Sequence, residues 1–113
     1  MNAEPYFENG VLDSFVRECF KVNPSSTISW FLICSYAYYI RFESLMSDEA
    51  FDKMCKFILG KFENLEHTNK DLVTKEMLTA GSGYNLKEDD YPLRVKIVSE
   101  QLIREYYNHR DTE

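Results

Sequence analysis

The sequence is short of positive charge: 13 Lys and Arg stand against 19 Asp and Glu, a formal balance of −6. That deficit argues against a sequence-independent grip on nucleic-acid phosphates and against an anionic membrane surface. Cysteine is scarce and unpaired. Cys19, Cys34 and Cys55 lie 15 and 21 residues apart, an odd count without the spacing of a disulfide framework or a zinc knuckle. There are two histidines, His67 and His109, neither at metal-ligand spacing from a cysteine or an acid. Each is expected near a helix end, where an imidazole meets free carbonyls. The longest uncharged apolar stretch, Ile28 to Ile40, has 13 residues, against the roughly 20 of a membrane-spanning helix. Residues 1–10 carry neither a basic start nor an apolar run, so no secretory leader is expected. Repeats and alternating strand patterns are also missing.

What remains is a sequence able to fold. It is 113 residues long, 44% hydrophobic and 15% aromatic, enough for one domain with a buried core and too apolar for disorder. The acidity is spread evenly: residues 1–46, 47–68 and 69–113 each sum to −2, without an acidic tail or a basic arm. The three cysteines fall on apolar helical stripes and are expected as buried, reduced thiols in an intracellular, cytoplasmic protein.

The periodicity predicts an all-α bundle of about five helices spanning 1–113 as one domain, with 1–10 and 109–113 frayed. Residues 11–22 space Val11/Leu12, Phe15/Val16 and Cys19/Phe20 as an apolar helical stripe, and Asn23-Pro24 ends that helix. Ser25-Ser26-Thr27 offers N-caps for a helix from Ile28 to Phe42, apolar nearly all round and therefore central. Ser47-Asp48-Glu49 opens the next helix. Its inner stripe is Phe51, Met54, Cys55, Ile58, Phe62 and Leu65, with Glu49/Lys53 and Asp52/Lys56 paired outside. A shorter helix over 70–80 stops at Gly81-Ser82-Gly83. Pro92 suits the first turn of the last helix, whose core face reads Val95, Val98, Leu102 and Tyr106.

One segment carries chemistry. It runs Tyr36-Ala37-Tyr38-Tyr39-Ile40-Arg41-Phe42, then Met46-Ser47-Asp48-Glu49-Ala50-Phe51-Asp52-Lys53, and continues to Leu65-Glu66-His67. An aromatic face stacks on a cationic ring, and carboxylates accept hydrogen bonds from ribose hydroxyls. Asp48 and Asp52, four apart, share a helix face, and a hairpin would set them beside Tyr38 and Tyr39. Over about residues 36–68 the segment resembles the N-terminal Ia region of bacterial NAD-dependent DNA ligases, which binds the nicotinamide mononucleotide half of NAD. The resemblance implies Tyr38, Tyr39, Asp48, Phe51 and Asp52 as cofactor-binding residues, with Phe51 standing where the family has tyrosine. The family's adenylation motif, K-x-D-G, is missing: the nearest string is Lys87-Glu88-Asp89-Asp90. A chain of 113 residues does not hold a complete ligase.

Tyr84 and Tyr91 flank the one dense acidic run, Glu88-Asp89-Asp90, in a loop with no evident core to join. These five residues are the candidate contact with a partner. No catalytic residue and no metal ligand is expected, and no local pattern suggests a strained nucleophile turn. The leading expectation is a small acidic interaction protein without enzymatic activity, of the kind a phage or mobile element uses to modulate or inhibit a larger protein, with no cofactor. The alternative is a module binding NAD or nicotinamide mononucleotide without ligase activity. A third expectation is a homodimer whose second copy covers the central apolar helix.

Overall fold

A computed structural model describes residues 11–83 and 85–111, with side chains described for 12–83 and 85–105. Tyr84, the segments 1–10 and 112–113, and the side chains of Tyr106 and His109 therefore lie outside the described residues. The fold is all-α: five α-helices and several short turns of other helix types, with no strand among the described residues. In order they are α1 (Val11–Val22), α2 (Thr27–Ser35), α3 (Asp48–Lys61), α4 (Lys75–Ala80) and α5 (Leu93–Asp111). The last helix runs on to Asp111, past the point at 109 where the sequence predicts fraying.

The apolar run makes α2 the central rod, packed on α1, α3 and α5. Thr27, Ile28, Phe31, Leu32 and Ser35 are wholly buried and Ile33 and Cys34 nearly so. Each buried Ile, Leu or Phe here is worth about 1.5–3 kcal/mol relative to exposure. Because the chain's own helices enclose α2, its apolarity does not require a second copy of the protein. All three cysteines are free and buried, as their stripe positions predict. Burial pushes the Cys55 thiol up to about 12 and raises Cys34 further, with Asp13 and Cys55 adding to it. Both remain protonated and non-nucleophilic at neutral pH.

The central helix departs from expectation at both ends. None of the three hydroxyls before it caps it. Instead Pro24–Ser26 forms a 3₁₀ turn running straight into α2. The Ser26 and Thr27 hydroxyls donate backwards to the carbonyls of Asn23 and Pro24, at 2.7 and 2.6 Å. The α-helix also does not reach Phe42. From Tyr36 to Ile40 it widens into a π turn, the Arg41 N–H reaching the Tyr36 carbonyl at 3.2 Å and the Glu43 N–H reaching Ala37 at 2.7 Å. Phe42 then turns the chain with φ of +60° and an 84% exposed side chain. Tyr36 and Arg41 both hold Glu100 of α5, at 3.1 and 3.2 Å, which pins the widened turn to the last helix.

α3 starts where expected. The Ser47 hydroxyl accepts the Ala50 N–H at 3.1 Å and donates to Asp13 of α1 at 2.6 Å, and the Ser47 N–H also donates to Asp13. The Glu49–Lys53 and Asp52–Lys56 pairs form at 3.5 and 3.1 Å. Phe62 and Leu65 lie beyond the helix end, in and after a 3₁₀ turn, and still pack on the core. The helix expected over 70–80 is two pieces: a 3₁₀ turn at Lys70–Leu72, then α4 with Thr74 accepting the Met77 N–H at 3.1 Å. α4 ends as predicted. Gly81 takes the left-handed conformation, φ +67°, and the Ser82 N–H closes back on Met77 at 3.0 Å. On α5, Val95, Ser99 and Ile103 face inward, and Ser99 donates to the Ile33 carbonyl at 3.3 Å; Val98 and Leu102 sit at the edge.

Candidate functional site

The five residues Tyr38, Tyr39, Asp48, Phe51 and Asp52 line one cleft of about 300 Å³. Three elements build it. The π turn after α2 carries the two tyrosines. The first turns of α3 present Asp48, Phe51 and Asp52 at spacing i, i+3, i+4, one face of a helix. The end of α4 closes the far side with Ala80 and Gly81. Between the π turn and α3, Leu45 and Met46 bury themselves in the core and fix the connecting loop. The Ser44 hydroxyl donates to the Met46 carbonyl at 2.9 Å.

The aromatic wall is held in place. Tyr39, half-buried, has its hydroxyl 2.7 Å from that of Ser82, just past the α4 stop. Tyr38, 50% exposed, meets Tyr39 edge-on, with centroids 4.9 Å apart. Phe51 is stacked on the buried Phe31 at 5.4 Å. Gly81 lies beside Asp52: a Cβ there would stand in ordinary contact, 3.5 Å from Asp52 Oδ1, so it is the positive φ and not space that calls for glycine. Asp48 and Asp52 are both exposed at the rim. No Lys, Arg or His lines the cleft, so it is net negative.

At the floor lies Ser35. It is fully buried, and among the described residues its hydroxyl has no hydrogen-bond partner. The backbone of Gly83 passes so close that a Cβ there would sit 2.6 Å from Ser35 Oγ. Sequence reasoning missed Ser35, Ser44 and Gly81 because they reach the cleft from separate segments. The one available signal is Gly81-Ser82-Gly83, which reads as a helix stop and hinge before it reads as a loop able to wrap a phosphate.

The expected partner loop divides. Glu88, Asp89 and Asp90 are exposed on a 3₁₀ turn, which Asp90 caps by accepting the Lys87 N–H at 2.8 Å. Tyr91 corrects the expectation that it has no core to join. It is 2% exposed and packs edge-on against Tyr36 at 5.3 Å, so its side chain offers no surface to a partner. Burial raises its hydroxyl well above the usual tyrosine range.

A second, larger hollow of about 520 Å³ lies between Trp30, His67 and the start of α5. His67 does not meet helix-end carbonyls as expected. Its Nδ1 accepts the Asn69 N–H at 3.0 Å, so the proton of the neutral ring is on Nε2, which donates to Ser29 Oγ at 2.6 Å. A base activating Ser29 would need the opposite tautomer, so this Ser–His contact is a structural strut. Burial lowers the His67 pKa, which keeps the ring neutral. Among the described residues no group of three His, Cys, Asp or Glu could hold a metal, and no helix is long and apolar enough to cross a membrane.

No protein-family model matches the chain, and neither a curated protein nor a solved structure matches it.

Proposed function

We propose that the protein is a small-molecule-binding module whose cleft receives the nicotinamide end of NAD or nicotinamide mononucleotide, with no ligase chemistry of its own. The observation that supports this reading is the convergence of Tyr38, Tyr39, Asp48, Phe51 and Asp52 on one cleft, from two elements separated by a loop. A π face and a carboxylate favour a cationic ring, and a second carboxylate suits ribose hydroxyls. A volume of about 300 Å³ is at the small end for ligand sites and suits one ring with its sugar, not a whole dinucleotide. The chain would supply binding and orientation, and the reacting group would come from a separate protein.

Calorimetric titration with NAD and nicotinamide mononucleotide tests this. Binding at millimolar ligand or below is expected, weakened at least tenfold by Tyr39→Ala or Asp48→Ala. The absence of heat at millimolar ligand with the wild-type chain would remove the reading.

Docking onto a larger protein is the second reading, in the manner of a phage or mobile-element modulator. Phe42 favours it: a large aromatic, 84% exposed, is held outward by a backbone conformation that few residues other than glycine adopt. A pull-down at low salt is expected to lose its partner on Phe42→Ser. A wild-type chain that recovers no specific partner would count against it.

A further inference from the structure

We infer that the cleft selects a phosphate-free aromatic cation, a pyridinium nucleoside in preference to its nucleotide. This rests on the reading of the cleft as a nicotinamide-type site and narrows its ligand. Three observations carry it. The first is charge. Two carboxylates line the cleft and no basic side chain does. The cation that an ion pair brings to a lining residue is Lys56, 74% exposed, and it offsets part of Asp52 alone. Asp48 has no ion pair among the described residues.

The second is that the helix start beside the cleft is unfavourable to a phosphate. A helix start attracts anions through its free N–H groups. Here the start of α3 carries Asp48 and Glu49 in its first turn, and Ser47 already satisfies the Ala50 N–H. A phosphate would face two negative side chains at the point where it needs donors.

The third is what the floor provides. Ser35 is wholly buried and its hydroxyl is unpartnered among the described residues, a neutral group able to donate or accept one hydrogen bond. That suits a carboxamide or a sugar hydroxyl. With Tyr38, Tyr39 and Phe51 as walls, the cleft offers π faces, one neutral polar contact and two carboxylates. Those are the complements of a flat cation bearing a ribose, and the two carboxylates repel a dianion.

Competitive titration of three probes against the full chain decides it: nicotinamide riboside, nicotinamide mononucleotide, and reduced nicotinamide riboside with its neutral ring. The riboside is expected to bind about tenfold more tightly than the mononucleotide, the effect of about 1.4 kcal/mol. It is also expected to bind at least tenfold more tightly than its reduced form. Asp48→Asn and Asp52→Asn, with folding checked by circular dichroism, are expected to weaken the riboside and narrow its lead over the mononucleotide. If the mononucleotide binds as well as the riboside, or better, the inference is overturned while the nicotinamide-type site stands. Equal binding of the reduced riboside overturns the requirement for a cation. If none of the three binds, the reading and the inference fall together.

Discussion

Gly83 and Phe42 are two residues whose backbone and side chain are in tension, in opposite senses. At Gly83 the space is missing. A methyl group there would stand 2.6 Å from Ser35 Oγ, 3.0 Å from Ser35 Cβ and 3.6 Å from Phe31 Cζ. Gly83→Ala is therefore expected to lower the unfolding free energy by about 1–3 kcal/mol in urea denaturation. Adding Ser35→Ala should return part of that loss, because it removes the closest of the three atoms. At Phe42 the space is ample and the backbone is strained. A left-handed conformation costs a non-glycine residue about 1–2 kcal/mol, and this ring is too exposed to recover much by packing. Phe42→Gly is expected to raise the unfolding free energy by about 0.5–1 kcal/mol. A loss of 1 kcal/mol or more in the same urea assay would show that the ring packs more than its exposure implies.

Among the elements, α3 and the end of α4 are the parts most legible in the sequence, because local chemistry decides them. Ser47 has acids just after it, and Gly81 needs only its own φ of +67°. Ser47→Ala is expected to cost about 1–2 kcal/mol, since it removes both the cap of α3 and a bond to α1. Asp13→Ala should be partly redundant with it in a double-mutant cycle. Where tertiary contacts decide, the sequence signal fails. Three hydroxyls before α2 resemble caps, but a 3₁₀ turn leaves the Ser26 and Thr27 hydroxyls nearer the carbonyls behind them. The 70–80 segment breaks at Val73, a 1% exposed side chain drawn into the core, and Thr74 then caps α4. In the cleft, the shared face of Asp48 and Asp52 was legible from their spacing, whereas Tyr38, Tyr39 and Phe51 were implied by the family resemblance. Ser35, Ser44 and Gly81 were not, because no short pattern joins them.

For the molecule as a whole, the radius of gyration of 13.5 Å is close to the roughly 13 Å expected of a compact domain of this length. One titration couples to that global fold in a defined window. His67 must be neutral for Nδ1 to accept the Asn69 N–H, and its pKa in the folded chain lies below the usual 6.5. The unfolded chain therefore binds more protons as pH falls through that region. The contribution of His67 is fully present above about 6.5 and is lost progressively below it. Urea midpoints should fall between pH 7 and pH 5, and His67→Gln should flatten that fall. An unchanged slope in the variant would assign the effect to other groups. Glu63, held low by the hydrogen bond from Lys75, acts in a separate window, below its usual 4.5.

The widened turn at Tyr36–Ile40 works as a one-residue insertion that the helix has absorbed. A regular helix advances about 100° per residue, so everything after the insertion is out of phase with α2 by about that angle. The core register upstream, from Thr27 to Ser35, is untouched, while Tyr38 and Tyr39 are swung toward the start of α3. Deleting a single residue between Tyr36 and Ile40 would restore the regular ladder and rotate the tyrosine hydroxyl away from Ser82. The same turn carries the buried Tyr36 and Ala37 and the bond from Tyr36 to Glu100, so the aromatic wall cannot be altered there without also reaching the contact with α5.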